Sequence, residues 1–189
     1  MLKDESKFVK RLQSKKQKES AFSELIDLYQ ERLYWHIRKI VLTHENANDV
    51  LQNTFIRVVR SIEGFKSQSS LSTWMYRIAY NESIRFLEKN RRNISVSEEQ
   101  LNSSLVSELV GDQYFNGEEA NLLLHNVLLK LPENERHIFN MKYYDDLKFR
   151  EISELINMKE GTVKSIYYKA VKFIENNIVK VQLSVKSKV

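Results

Sequence analysis

Apolar residues recur along this chain at steps of three and four, and little interrupts them. From Ala21 to Leu42 the series Phe22, Leu25, Ile26, Leu28, Tyr29, Leu33, Ile37, Ile40 and Val41 keeps that spacing, and Asn46 to Ile62 repeats it through Val50, Leu51, Phe55, Val58, Val59 and Ile62. Such a period belongs to an amphipathic helix and not to a half-buried strand. A sheet protein would also need turn-forming residues, and four Gly and one Pro among 189 residues are too few for a sandwich, a barrel or a parallel sheet with crossover helices. The expected fold class is therefore all-α. At roughly 150 residues per domain, the length suits one large or two small domains.

Breaks in the pattern divide the chain. Gly64 is expected to end the second helix by adopting positive φ, and Ser72 or Thr73 to cap the next, which runs to about Lys89. The basic run Lys89-Asn90-Arg91-Arg92 closes a first domain, 1–92. Residues 93–120 hold four Ser before Leu105, both Gly111 and Gly117, and acidic residues of weak periodicity, the composition of a flexible linker. Helical stretches at Asn121 to Leu131, Glu133 to Tyr144, Lys148 to Ile156 and Glu160 to about Val179 make a second domain, 121–189, with Pro132 opening a first turn where no backbone donor is missed.

Charge follows the same division. The net +5 conceals +7 in residues 1–92, −6 in residues 93–120 and +4 in residues 121–189, so two basic blocks flank an acidic one. The lack of cysteine excludes a disulfide framework, thiol catalysis and cysteine zinc sites, and fits a reducing compartment. Met1 to Ser20 contains no apolar run of signal length and no stretch reaches about 18 uninterrupted apolar residues, so a cytoplasmic protein without membrane insertion is expected. The His residues at 36, 44, 125 and 137 form no HExxH pattern, with His36 and His44 expected at a surface helix end. Asp145-Asp146 reads as a loop and cap pair, since adjacent carboxylates on a turn diverge, and neither a P-loop nor a GxSxG elbow occurs. No enzymatic activity, metal or cofactor is expected.

The strongest local signal runs from Arg150 to Ala170, a short amphipathic helix, a tight turn and a second helix. That is the plan of a helix-turn-helix, whose second helix can enter the DNA major groove. Asn157 stands where the first helix must stop, and after Gly it is the residue that best tolerates left-handed geometry. Val163, Tyr167, Ala170 and Ile174 share one helical face and should pack inward, leaving Lys164, Ser165, Tyr168, Lys169 and Lys172 outward as a reading surface. Small Thr162 and Ser165 beside Lys164 suit close approach to phosphates and base edges. The plainer alternative is a helical hairpin with a solvated lysine face.

A second stripe lies in the first domain. Trp74, Asn81 and Arg85, seven and four residues apart, share one helix face; Trp offers a stacking surface, Asn can pair with adenine, and Arg with guanine or phosphate. Just before them, the polar loop Lys66, Ser67, Gln68, Ser69 and Ser70 could hold an unpaired base, because extruded bases are read through their edges and faces. Trp74 also adjoins Met75, Ile78 and Ala79, so a core position is the competing reading.

Three segments in order resemble bacterial sigma factors of the extracytoplasmic-function type: Asp49-Val-Leu-Gln52-Asn-Thr-Phe55, then Leu71-Ser-Thr-Trp74-Met-Tyr-Arg-Ile-Ala79-Tyr-Asn81, then Glu160-Gly-Thr-Val-Lys-Ser165. The resemblance covers about residues 20–92 and 120–176. It implies that the first domain recognises and melts the minus-ten promoter element, through the 66–70 loop, Trp74, Asn81 and Arg85. The second domain would read the minus-thirty-five element through Thr162, Lys164, Ser165, Tyr168, Lys169 and Lys172. Asp49, Gln52 and Phe55 would dock on the β′ coiled coil of core RNA polymerase, the β flap would be a second polymerase contact, and a membrane-bound anti-sigma protein would be a further partner. A core aromatic is the alternative role of Phe55. The chain departs from the family's usual residues with Leu71 for Phe, Arg85 for Asp, Ile166 for Arg and Asn157 for Gly. Two other readings compete, namely a helix-turn-helix regulator whose first domain senses a ligand or dimerises, and a helical adaptor that binds no DNA.

Overall fold

The computed structural model describes residues 4–93, 124 and 126–186. The described residues are all helical apart from turns and loops, with no strand. They form two units divided between Ile94 and Ser95. Almost all of the acidic 93–120 connector lies outside the described residues.

The first unit contains α1 (Glu5–Gln13), α2 (Lys18–Val41), α3 (His44–Ser61), a 3-10 turn (Ile62–Gly64) and α4 (Leu71–Asn93). Three or four helices are expected in this domain, and α1 is the one whose position the pattern does not mark. Its apolar residues are only Phe8, Val9 and Leu12, too few to declare a period, yet all three are buried and Asp4 caps it, its carboxylate accepting the Lys7 N–H at 3.1 Å. The buried row of α2, Leu25, Tyr29, Leu33, Ile37 and Ile40, meets Val50 and Val58 of α3 and Leu71, Met75 and Ala79 of α4 around one core. The spacing of three and four becomes a wall here because helical residues at those steps share a face.

In this unit three expectations need correction. Gly64 does not adopt positive φ; the helix ends by tightening into the 3-10 turn, and the left-handed residue of this region is Ser67, at φ 52°. The cap of α4 is Ser70 rather than Ser72 or Thr73, since its Oγ accepts the Thr73 N–H at 3.1 Å. His36 is not at a surface helix end. It is 2% exposed on the inner face of α2, with its ring 4.9 Å from that of Tyr76, because position 36 shares a face with Leu33 and Ile40. His44 does lie exposed at the start of α3.

The second unit has α5 (Glu133–Tyr143), α6 (Phe149–Ile156) and α7 (Glu160–Lys186), preceded by a helical turn through residues 126–128. Pro132 occupies the N-cap position of α5 instead of its first turn. Val127, Leu128, Leu131, Phe139, Ala170 and Ile174 form one apolar cluster. Glu151 accepts the Lys148 N–H at 2.8 Å, which satisfies an amide at the start of α6 and places a carboxylate near the positive end of the helix dipole.

Candidate nucleic-acid interface

Helices α6 and α7 are joined by three residues, and the turn depends on Asn157, at φ 56° and ψ 48°, whose N–H bonds back to the Ser153 carbonyl. That carbonyl also takes the Met158 N–H at 2.9 Å. A left-handed residue there stops the helix, its own amide and the next both closing on one carbonyl of the last turn. Asn tolerates the region better than other residues with a Cβ. Asn157→Gly should therefore leave thermal stability within about 0.5 kcal/mol, whereas Asn157→Ala should lower it by about 1 kcal/mol. Thermal unfolding of both variants checks this.

On α7 the inward set is as expected. Val163, Ala170 and Ile174 are buried, and Tyr167 packs its ring 6.0 Å from Phe139 and 5.4 Å from Phe149. Thr162, Lys164, Ser165, Tyr168, Lys169 and Lys172 are all exposed, Tyr168 at 61%. Two of these lysines are engaged. Lys164 pairs with Glu160 one turn back at 2.6 Å and lies over the Phe149 ring at 5.8 Å. Lys169 reaches across to Glu135 of α5 at 2.6 Å, onto a carboxylate side chain only 13% exposed. The first is a surface pair along one helix, weak and easily exchanged for a phosphate; the second ties two helices together.

In the first unit, Lys66, Ser67 and Gln68 are exposed and Ser69 half-buried. Trp74 is neither fully core nor free. It is half-buried, with its ring 4.8 Å from that of Phe65 and tilted 39°, an aromatic pair that joins the two flanks of the loop. Asn81 and Arg85 are exposed on the same stripe. Arg85 also bonds to Glu82 at 2.7 Å, and the same carboxylate oxygen takes Arg57 of α3 at 2.8 Å.

Asp49 and Gln52 are exposed on α3 and Phe55 is half-buried. Ile56 and Val59, 47% and 38% exposed, continue the row from Asp49 and Gln52 at steps of four and three. The apolar series of this helix includes Val59 and leaves out Ile56, so helical spacing alone marks neither as part of an outward row. The signal that would have found Ile56 is its place opposite Val50, Thr54 and Val58, which are the buried side of α3. The second unit also exposes Tyr143 and Tyr144, at 58% and 47%, with rings 4.9 Å apart.

Comparison with known proteins gives two family matches in chain order. Residues 25–93 match the family described as Sigma-70 region 2, and residues 121–174 that described as Sigma-70, region 4. The chain is 30% identical over 161 residues to the ECF RNA polymerase sigma factor SigW of Bacillus subtilis, across 81% of this chain and 86% of the relative. It is 27% identical over 166 residues to the ECF RNA polymerase sigma-E factor of Haemophilus influenzae, across 84% and 87%. Among solved structures, the sigma factor RpoE in complex with the anti-sigma factor NepR from Bartonella quintana matches at TM-score 0.65 and 18% identity, covering 83% of this chain and 96% of that one. CnrH in complex with the cytosolic domain of CnrY matches at 0.66 and 16%, covering 93% and 97%. At those identities the likeness is one of fold.

Proposed function

The chain belongs to the sigma-70 family as an extracytoplasmic-function sigma factor, and from that membership we propose how its two units divide the work. As a sigma factor it binds core RNA polymerase and directs it to promoter DNA. The first domain, 1–92, recognises and melts the minus-ten element with the 66–70 loop, Trp74, Asn81 and Arg85. The second, 121–189, reads the minus-thirty-five element with the outward face of α7, and the acidic 93–120 segment tethers them. A tether raises the effective concentration of the second contact once the first is made. Promoter opening needs no catalytic step of this chain: unstacking a base costs a few kcal/mol, which capture of that base and polymerase contacts offset.

The observation that carries this reading is the coincidence on one chain of an outward polar row on the second helix of a helix-turn-helix and an exposed Asp49, Gln52, Ile56 and Val59 row on α3. The first suits a major groove. The second, polar at one end and apolar at the other, suits a protein partner, which we take to be the β′ coiled coil; the β flap would meet the second unit. A regulator acting without polymerase would bury the α3 row only by dimerising through it, whereas a sigma factor buries it against core enzyme. No described helix is long and apolar enough to cross a membrane, and the cytoplasm, where polymerase and chromosome meet, is the proposed place of action. An anti-sigma protein anchored in the membrane is the proposed negative partner.

Ile56→Glu tests the docking face. Position 56 is half-exposed, so the fold should survive, while core affinity should fall about tenfold or more, the size of effect typical of a central interface residue. Titration of labelled protein with core enzyme reads it, and unchanged affinity would remove α3 from the polymerase contact.

A further inference from the structure

The 62–71 segment is gripped at both ends by side chains of α1, from nearly fifty or more residues away in sequence. At its start, the Gln13 side-chain amide donates from Nε2 to the carbonyls of Ile62 at 2.9 Å and Phe65 at 3.1 Å. At its end, the Glu5 carboxylate accepts the Leu71 N–H at 3.0 Å. Leu71 opens α4, so this N–H has no partner within its own helix, and a carboxylate there also meets the positive end of the helix dipole. A third tie, exposed, runs from Lys18 to Glu63 at 3.1 Å.

Between these anchors the loop is held in a conformation it would not choose alone. Ser67 is left-handed at φ 52°, a region unfavourable for a residue with a Cβ, which persists only where the surroundings over-determine it. The fixed ends, the Ser70 cap and the Phe65 and Trp74 rings supply that determination.

We propose that Gln13 and Glu5 are positioning residues for promoter opening: α1 is a clamp that presets the 66–70 loop in the shape that receives an extruded non-template base. The proposal rests on the reading of that loop as the base-capturing element. Gln13 is placed for this task because one amide nitrogen carries two donors and spends them on two carbonyls of the loop's entry, which no carboxylate at that position can do. Glu5 needs only an acceptor, so Gln can replace it. Preorganisation matters here because a loop ordered only on binding would subtract its ordering entropy from the affinity for the base.

The test uses holoenzyme assembled from core polymerase and the full chain, on forked promoter templates carrying each of the four bases or an abasic site at successive non-template minus-ten positions. Wild type should prefer one base over the abasic site at one position. Gln13→Glu, which keeps the shape but loses both donors, should reduce that preference by about a factor of five for each lost hydrogen bond. Core affinity and binding of upstream duplex should be unchanged. Glu5→Ala should also lower the preference, and Glu5→Gln should restore it. A residue that merely stabilises the fold would lower the melting temperature and leave the base preference intact at a temperature well below it; that result would overturn the proposal. If wild type itself shows no preference for a base over an abasic site at any position, the base-capture reading fails, and the clamp with it. If the preference exists and Gln13→Glu preserves it, only the clamp fails.

Discussion

Val163→Asp is expected to unfold the helix-turn-helix unit and leave the first unit folded. Val163 is 0% exposed on the first turn of α7, the helix against which α6 packs, and Ile152 and Leu155 of α6 are buried as well. The substitution forfeits about 1.5–3 kcal/mol of valine burial. It also places a carboxylate in an apolar site, which costs several kcal/mol more unless the group is protonated or water enters. A unit this small holds a stability of about 5 kcal/mol, so the two losses together exceed it. Both tryptophans, Trp35 and Trp74, lie in the first unit, which makes the outcome separable. Helical ellipticity should fall sharply, while the tryptophan fluorescence transition keeps its midpoint. Upstream-element-dependent transcription should vanish. Unchanged ellipticity would contradict the burial of Val163.

Removing the two lysines best placed for phosphates should have the second-largest effect. Each phosphate neutralised on B-DNA contributes about 0.9 to the slope of log affinity against log salt, so at 0.1 M salt one lost contact weakens binding by about an order of magnitude. Lys164→Ala with Lys172→Ala should therefore lower affinity for the upstream element about a hundredfold and flatten the salt slope by about 1.8. The Glu160 pair does not protect Lys164 from this role, since an exposed pair one turn apart is worth only about 0.3–0.5 kcal/mol. Lys169 should behave differently. Its partner Glu135 is largely buried and belongs to another helix, so Lys169→Ala should change the slope less and the melting temperature more. Equal slopes for all three single variants would contradict this distinction. Holoenzyme binding to promoter DNA across a salt series provides the measurement.

What the sequence made legible depends on how local the cause was. Helices α2 and α3 and the turn at Asn157 were readable because period and turn chemistry are properties of neighbouring residues. Helix α1 was not, since Phe8, Val9 and Leu12 span barely one turn and gain meaning only from the core they enter. The bonds from Gln13 and Glu5 to the 62–71 segment join residues 49 to 66 positions apart, which no local pattern encodes. A left-handed residue is expected at Gly64 on general preference, yet Ser67 holds that conformation, in a loop whose ends are bonded to α1. His36 is expected with His44 at a surface helix end, whereas its register with Leu33 and Ile40 fixes it inside.

The candidate site divides in the same way. The outward row of α7 followed from helical geometry alone. Ile56 and Val59 do not follow from it, since the first falls outside the apolar series and the second inside it, and only the buried side, here Val50, Thr54 and Val58, shows that both face outward. Trp74 fell between two readings for a related reason. Its neighbour Phe65 lies nine residues away across the loop, and only the folded chain brings the two rings to 4.8 Å.

This chain is expected to direct initiation only as part of a polymerase. Run-off transcription with purified core enzyme, scanned over genomic fragments from the same organism, tests it most directly. With chain and core together, discrete transcripts should start at promoters sharing two spaced elements, and neither component alone should produce them. Specific binding of the chain alone to the same promoters, with no discrete transcript from the reconstituted enzyme on any template, would contradict it.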